Sequence, residues 1–247
     1  MNQSTAGTTA IVTGASRGFG RAIAAAFTEA GAHVVGVART DAHLQLARDE
    51  LGDTFTAVAA DAADPQTAAR LIDEYRPQTV VLAAGLAPRM MPLMDQTWAS
   101  FSENWNVDVA QTFHWIRYAL RRPLAPGSAV VAFSSGAAVN GSPLSGGYAG
   151  AKAAVRFITG YAAEESRRAG LGIGFASVLP RLTPATDLGA KAVAAYAARQ
   201  GVDTEAFIES AGPVLTPEQV ALAVRGIVER GDTGPYLLTS AGLSPAA

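Results

Sequence analysis

Residues 8–31 read TTAIVTGASRGFGRAIAAAFTEAG, and three patterns follow one another in them. TTAIVTG is a short apolar run of the kind that forms a buried strand, and RAIAAAFTEAG is a helical run closed by Gly31, where a helix C′ residue belongs. Between them lies GASRGFG. A turn joining a strand to a helix this tightly needs residues that tolerate positive φ. It can let the backbone approach a pyrophosphate, whose charge is favoured by the amides and dipole at the helix N-terminus. Gly14, Ser16, Arg17, Gly18, Phe19 and Gly20 are therefore candidate cofactor-binding residues. Their spacing differs from the GxGxxG fingerprint, and a plain tight turn is the alternative reading.

Outward from this unit the same alternation continues. HVVGVA, TFTAVAA, TVVLAAG, SAVVAFSS, GIGFASVLP and PYLLTSAGL read as further strands. Thr40-Asp41 begins one helix, and Asp64-Pro65 supplies an N-cap followed by Pro at the first helical position of the next. SFSENWNVDVAQTFHWIRYAL reads as one long helix, with Trp98, Trp105, Phe113 and Trp115 as packing or interface residues. A helix from about Gly147 to Arg168 is ended by Gly170, and Thr216, Pro217 and Gln219 open the last helix with a capping box. Seven strands alternating with helices predict an α/β fold. The sheet is Rossmann-like, doubly wound and mostly parallel, with helices on both faces and the site at the strand C-terminal edge. The length of 247 residues suits one domain over 1–247, and no repeat or linker marks a second.

Composition narrows the function classes. Hydrophobic residues at 49% and charged residues at 16% suit a sheet buried on both faces. A net charge of -2 argues against nucleic acid or an anionic membrane as the main partner. The absence of cysteine removes disulfides, thiolate metal sites and cysteine nucleophiles, and His33, His43 and His114 lack metal-site spacing, so no metal is expected. The polar start MNQSTAGTT has no basic-then-apolar pattern and no later run reaches membrane-spanning length, which predicts a soluble, cytoplasmic protein.

The reactive side chains concentrate in residues 134–155, SSGAAVNGSPLSGGYAGAKAAV. Tyr148 and Lys152 are four apart and share one helical face, so a phenol meets an ammonium that favours its ionised form. Ser135 stands upstream with a neutral hydroxyl able to bind an oxygen on which charge develops. Taken alone, the Tyr–Lys spacing would also suit a solvated helix pair. With the glycine turn at the N-terminus and a thirteen-residue interval from Ser135 to Tyr148, the chain resembles the classical short-chain dehydrogenase/reductase family over essentially its whole length. That family's Ser, Tyr and Lys fall on Ser135, Tyr148 and Lys152, and its TGxxxGxG motif falls on Thr13, Gly14, Gly18 and Gly20.

The resemblance implies hydride transfer between a nicotinamide cofactor and a small-molecule carbonyl or secondary alcohol. Tyr148 would act as general acid/base, Ser135 would polarise the oxygen, and Lys152 would hold the nicotinamide ribose. The end of the second strand bears on cofactor choice, because an acid there suits NAD and an Arg suits a 2′-phosphate. Ala38-Arg39 and Arg17 favour NADP(H), with Asp41 as a rival ribose ligand. The family also implies adenine contact at Asp61, cofactor approach at Ala84 and Gly85, and contacts from Pro180, Thr183 and Thr186. Residues 184–213, the least patterned stretch, would be a mobile substrate lid. The helices carrying Asp108 and Tyr148 commonly form subunit interfaces in the family, which implies a homodimer or homotetramer.

Three positions depart from the family. Leu82 to Gly85 stand where it typically has NNAG, Asp108 replaces the Asn that completes its catalytic set, and Arg181 replaces the Gly of Pro-Gly. Arg181 could read an acidic group on a substrate or pair with Asp187. The Met-rich loop LAPRMMPLMDQTW is a candidate to line the substrate cleft or to pack in the core. The losses leave open an NADP-binding regulatory or scaffold protein with weakened catalysis. An epimerase or dehydratase is a further class, which the chain's length disfavours.

Overall fold

The computed structural model describes residues 4–246. Eight strands form one sheet: β1 (Thr9–Thr13), β2 (His33–Ala38), β3 (Phe55–Ala59), β4 (Thr79–Leu82), β5 (Ala129–Phe133), β6 (Gly174–Pro180), β7 (Gly234–Thr239) and β8 (Gly242–Pro245). Their order is β3-β2-β1-β4-β5-β6-β7-β8, parallel throughout except for the β7–β8 pair. The helices are α1 (Gly18–Glu29), α2 (Asp41–Leu51), α3 (Pro65–Tyr75), α4 (Trp98–Asn104), α5 (Ala110–Arg121), α6 (Ala137–Asn140), α7 (Gly146–Ala169), α8 (Asp187–Gln200), α9 (Thr204–Ala211) and α10 (Pro217–Arg230).

Alternation along each strand sends side chains into two cores, as a doubly covered sheet requires. Ala10, Val12, Val34, Val81, Val131 and Val178 pack beneath α1, α2 and α10. Ile11, Val35, Val80, Leu82, Val130 and Phe175 pack beneath α3, α5 and α7. Strand order reverses between β1 and β4, so the loops after these two strands diverge and leave a crevice at their C-terminal ends. Expected caps are present. Asp64 accepts from the Gln66 amide, Thr216 and Gln219 close a capping box, and Gly170 ends α7 at φ 64.

Three expectations are corrected. The last strand is two, making eight: after Thr239 the chain turns through Ser240 and Ala241, whose amide bonds to the Thr239 hydroxyl, and β8 returns antiparallel along the open edge. The long helix expected over residues 100–120 spans 98–121 and is interrupted by a π-helical turn at Trp105–Val109. Residues 184–213 contain two helices, α8 and α9, where no clear pattern was read. Of the aromatics in the long helix, Trp115 is fully buried whereas Trp98, Trp105 and Phe113 are exposed. Among the described residues no helix is long and apolar enough to cross a membrane.

The start of α7 is set by a backbone contact. A Cβ built on Gly147 would stand 1.9 Å from the Phe101 carbonyl oxygen, so only glycine lets α4 and α7 approach this closely beside Tyr148. Gly147→Ala should therefore cost about 1–3 kcal/mol through overpacking, or a Tm lowered by roughly 2–12 °C in calorimetry. An unchanged Tm would show that the two helices can separate freely.

Candidate active site

The turn after β1 is built by close approach. A Cβ on Gly14, at φ 71, would meet the Ala84 amide nitrogen at 2.8 Å, and one on Gly20 would meet the Gly14 carbonyl oxygen at 2.3 Å. These contacts seat the turn against the end of β4 and draw α1 up to it. Among the described residues no side chain caps α1, whose N-cap is Arg17, so its first amides lack a side-chain partner there. Phe19 packs towards Phe133 with ring centres 6.1 Å apart, and Ser16 is half-buried within the turn.

The ends of β1 and β4 are joined by a residue the sequence did not point out. Gln111, buried on α5, accepts the Thr13 hydroxyl at 2.6 Å through Oε1 and donates to the Ala84 carbonyl at 2.9 Å through Nε2. The Thr13 oxygen in turn accepts the Ala84 amide at 3.1 Å. A buried amide with both ends satisfied thus links the two strands at a place where the family's Asn residues are missing.

Tyr148, Lys152 and Asp108 are brought together. The Lys152 Nζ lies 2.7 Å from Asp108 Oδ1, donates to the Phe133 carbonyl at 2.9 Å, and sits 5.6 Å from the centre of the Tyr148 ring. Lys152 and Asp108 are 5% and 1% exposed. Oδ2 of Asp108 accepts from the Leu86 amide at 3.2 Å and from Asn104 Nδ2 at 3.3 Å, and Asn104 also donates to the Leu86 carbonyl at 2.7 Å. Burial by itself would lower the ammonium pKa. The charge of Asp108, then that of Tyr148, and the Asp108 contact outweigh it, so the pKa stands above its ordinary value of 10.5.

Ser134 and Ser135 divide two jobs at the end of β5. The buried Ser134 hydroxyl donates to the Lys152 carbonyl at 2.8 Å and fastens α7 to the strand. Ser135 is half-buried, and its Oγ accepts the Ala137 amide at 3.2 Å. The Gly136 amide donates to the Pro180 carbonyl at 3.0 Å, so the loop after β5 lies along the end of β6. The Met91 amide donates to the Leu144 carbonyl at 2.8 Å, which carries the Met-rich loop towards the segment before Tyr148, while Met94 stays exposed.

Other expected residues sort by their surroundings. Arg39 is exposed at the end of β2 with no side-chain partner among the described residues. Arg17 pairs with Asp187 at 3.0 Å, both well exposed, which removes the Arg181–Asp187 pairing considered from sequence. Asp61 turns its Oδ1 to the Ala63 amide at 2.9 Å, and its loop is held by Trp115 Nε1 donating to the Ala62 carbonyl at 2.9 Å. Gly85 lies against Asp108, where a Cβ would come within 2.9 Å of Oδ1. Thr183 was expected to offer its hydroxyl to a cofactor. It is buried, and that hydroxyl donates to the Leu215 carbonyl at 2.6 Å. Thr186 caps α8 by accepting the Gly189 amide.

A latch also went unread. The Tyr196 hydroxyl on α8 lies 2.5 Å from Ser142 Oγ, which lies 2.5 Å from Ser145 Oγ, so α8 is tied to the loop that precedes Tyr148. Nothing in the sequence marked this contact, because Ser142 and Tyr196 are brought together only by the tertiary fold.

Comparison with known proteins agrees with this geometry. The chain is 29% identical over 176 residues to sorbitol dehydrogenase of Cereibacter sphaeroides, covering 68% of each protein. It is 31% identical over 233 residues to cis-4-hydroxycyclohexanecarboxylate dehydrogenase of Sinomonas cyclohexanicum, covering 91% of this chain and 90% of that one. In fold it is similar to L-sorbose reductase from Gluconobacter frateurii, solved with NADPH and L-sorbose, at a TM-score of 0.80 and 23% identity over 96% of this chain and 97% of the other. The family model described as short chain dehydrogenase matches residues 8–197, from β1 into α8, and so takes in both the glycine turn and the Tyr148–Lys152 helix. With that span matched, the chain belongs to the short-chain dehydrogenase family of oxidoreductases.

Proposed function

We propose that this protein transfers hydride between NADP(H) and the carbonyl or secondary alcohol carbon of a small molecule, with Ser135, Tyr148, Lys152 and Asp108 as its reaction centre. The observation that carries the reading is the ammonium of Lys152, held beside the Tyr148 ring by a buried carboxylate. When bound, the dinucleotide supplies or accepts the hydride. The Tyr148 hydroxyl has no hydrogen-bond partner among the described residues, which leaves it to give a proton to the substrate oxygen or to take one from it. Lys152 keeps its charge because Asp108 offsets its burial, and that charge stabilises the oxygen Tyr148 is left with after proton release. Ser135 accepts an amide through its oxygen, so its own O–H remains to donate to the substrate oxygen.

The residues present suit a dinucleotide phosphate. The uncapped start of α1 offers amides to the pyrophosphate, and Gly18, at φ 55, has only the Thr186 methyl near its face. Arg39, with Arg17 beside it in role, supports the preference for a 2′-phosphate; the Arg17–Asp187 pair is an exposed one, worth about 0–1 kcal/mol, and yields readily. Asp61 would meet the adenine, and Ala84, Gly85 and Pro180 would line the path to the nicotinamide. Residues 184–213, with α8 and α9, would cover the substrate. Exposed Trp98, Phe113, Phe157 and Tyr161 on α4, α5 and α7 support a homodimer or homotetramer built on those helices.

Tyr148→Phe should lower kcat/KM by about 10²–10⁴-fold while NADPH binding, followed by nicotinamide fluorescence, persists. A loss of less than about tenfold would remove the proton-transfer role.

Arg39→Ala should weaken NADPH by roughly 10- to 150-fold and NADH far less, since the lost bonds are charge-assisted. Equal weakening of the two cofactors, measured by titration, would contradict the phosphate assignment.

Asp108→Asn tests the ion pair through pH. Because the Lys152 pKa is raised in the folded chain above 10.5, its stabilising contribution is complete below 10.5 and is lost as pH rises through the folded value. Removing the carboxylate leaves burial to lower that pKa, so the alkaline limb of kcat/KM and of thermal stability should both move to lower pH. Superimposable profiles would take Asp108 out of the reaction centre.

A further inference from the structure

A cavity of about 180 Å³ opens between the end of β6 and the α8–α9 pair, lined by Arg181 together with Leu182, Val193, Phe207, Ile208 and Val214. Its position follows from the strand end. The Gly136 amide bonds to the Pro180 carbonyl, and a Cβ on Gly136 would lie 4.0 Å from the Arg181 Cα. Arg181 therefore leaves the backbone beside the residue that follows Ser135, and it shares the cavity lining with the apolar residues.

Arg181 is the one charged residue of that lining, and no hydrogen bond or ion pair within the described residues involves its side chain. The acid closest ahead in the sequence, Asp187, is taken by Arg17 at 3.0 Å. A guanidinium stays protonated at any working pH and presents a planar fork of donors that matches a carboxylate. Closing a neutral hydrocarbon against it would desolvate the cation without a partner. The size of the space sets the other end of the ligand. An engineered cavity of ~150 Å³ takes benzene, so one six-membered ring or a chain of similar bulk fits here.

We propose that Arg181 is a specificity-determining residue which binds a carboxylate on the substrate while the cavity receives its apolar body. The substrates are then hydroxy or oxo acids built on a compact ring or short chain. The proposal rests on the oxidoreductase reading above and adds the chemical class that this same site selects.

The test compares 4-oxocyclohexanecarboxylate with 4-methylcyclohexanone, a neutral ring of similar size, using wild type, Arg181→Gln and Arg181→Lys with NADPH and, in parallel, NADH. In wild type kcat/KM should favour the acid. The ratio of acid to neutral ketone should fall by roughly 10- to 150-fold in Arg181→Gln, with Arg181→Lys between the two. The same ratio in wild type and Arg181→Gln, or turnover of the neutral ketone alone, overturns the proposal and leaves the oxidoreductase reading standing. If neither ketone is reduced by a protein that binds NADPH, the oxidoreductase reading fails on these substrates. Arg181 is then judged by calorimetric titration of the NADP+-saturated protein with cyclohexanecarboxylate and cyclohexanecarboxamide. Binding of the acid alone, abolished in Arg181→Gln, supports the anion site; equal binding of acid and amide, or none of either, overturns it.

Discussion

Lys152 and Asp108 are both almost inaccessible to water, and neither could be charged there without the other. Their 2.7 Å contact is where four parts of the chain meet. Lys152 brings α7 and bonds to the end of β5 through Phe133, while Asp108 brings the π-helical turn and, through Oδ2, the loop after β4. A buried pair of this kind adds little net stability over a hydrophobic packing of equal volume, but breaking it costs about 3–5 kcal/mol because one charge is left behind. It therefore acts as a geometric constraint more than as a source of stability. The position of the Tyr148 ring relative to β5 depends on where that ammonium is held.

The π-helical turn belongs to the same arrangement. In the sequence the run from Ser100 to Leu120 reads as one helix. The turn that interrupts the helix carries polar contacts to residues outside the segment. Asn104 must reach the Leu86 carbonyl while Asp108 reaches both the Leu86 amide and Lys152, and the widened turn at Trp105–Val109 lies over the residues between them. Local propensity carries no trace of partners that lie on other elements.

The same distinction separates what could be read in the chain from what could not. Gly14 and Gly20, the Ser135, Tyr148 and Lys152 spacing, the caps at Asp64 and Thr216 and the alternating faces of the strands are local features, and local physics makes them legible. Gln111 looked like an ordinary polar helix residue, because only the tertiary fold places the Thr13 hydroxyl and the Ala84 carbonyl around it. Arg17 and Asp187 are 170 residues apart, and Asp187 had a plausible partner nearer in the sequence in Arg181. The final hairpin was hidden because Ser240-Ala241 is not one of the glycine-rich pairs that mark a tight turn. The α8–α9 stretch was hidden because α8 is rich in alanine, so its buried face hardly differs from its exposed one.

Three contacts made by residues between Thr183 and Leu215 belong together. Tyr196 bonds to Ser142 ahead of Tyr148, Asp187 bonds to Arg17 on the glycine turn, and Thr183 bonds to Leu215 beyond α9. The segment from Thr183 to Leu215 is thus fastened to the glycine turn, to the loop ahead of Tyr148 and to its own far end. Two of these ties differ in strength: the exposed Arg17–Asp187 pair is weak, whereas the half-buried hydroxyl chain at Tyr196 is shielded from competing water. Displacing the segment at its glycine-turn end is accordingly the less costly movement. That end lies against the glycine turn, and the firmer end lies against the loop ahead of Tyr148. The segment is thus held more tightly next to the helix that carries Tyr148 and Lys152 than next to the turn after β1.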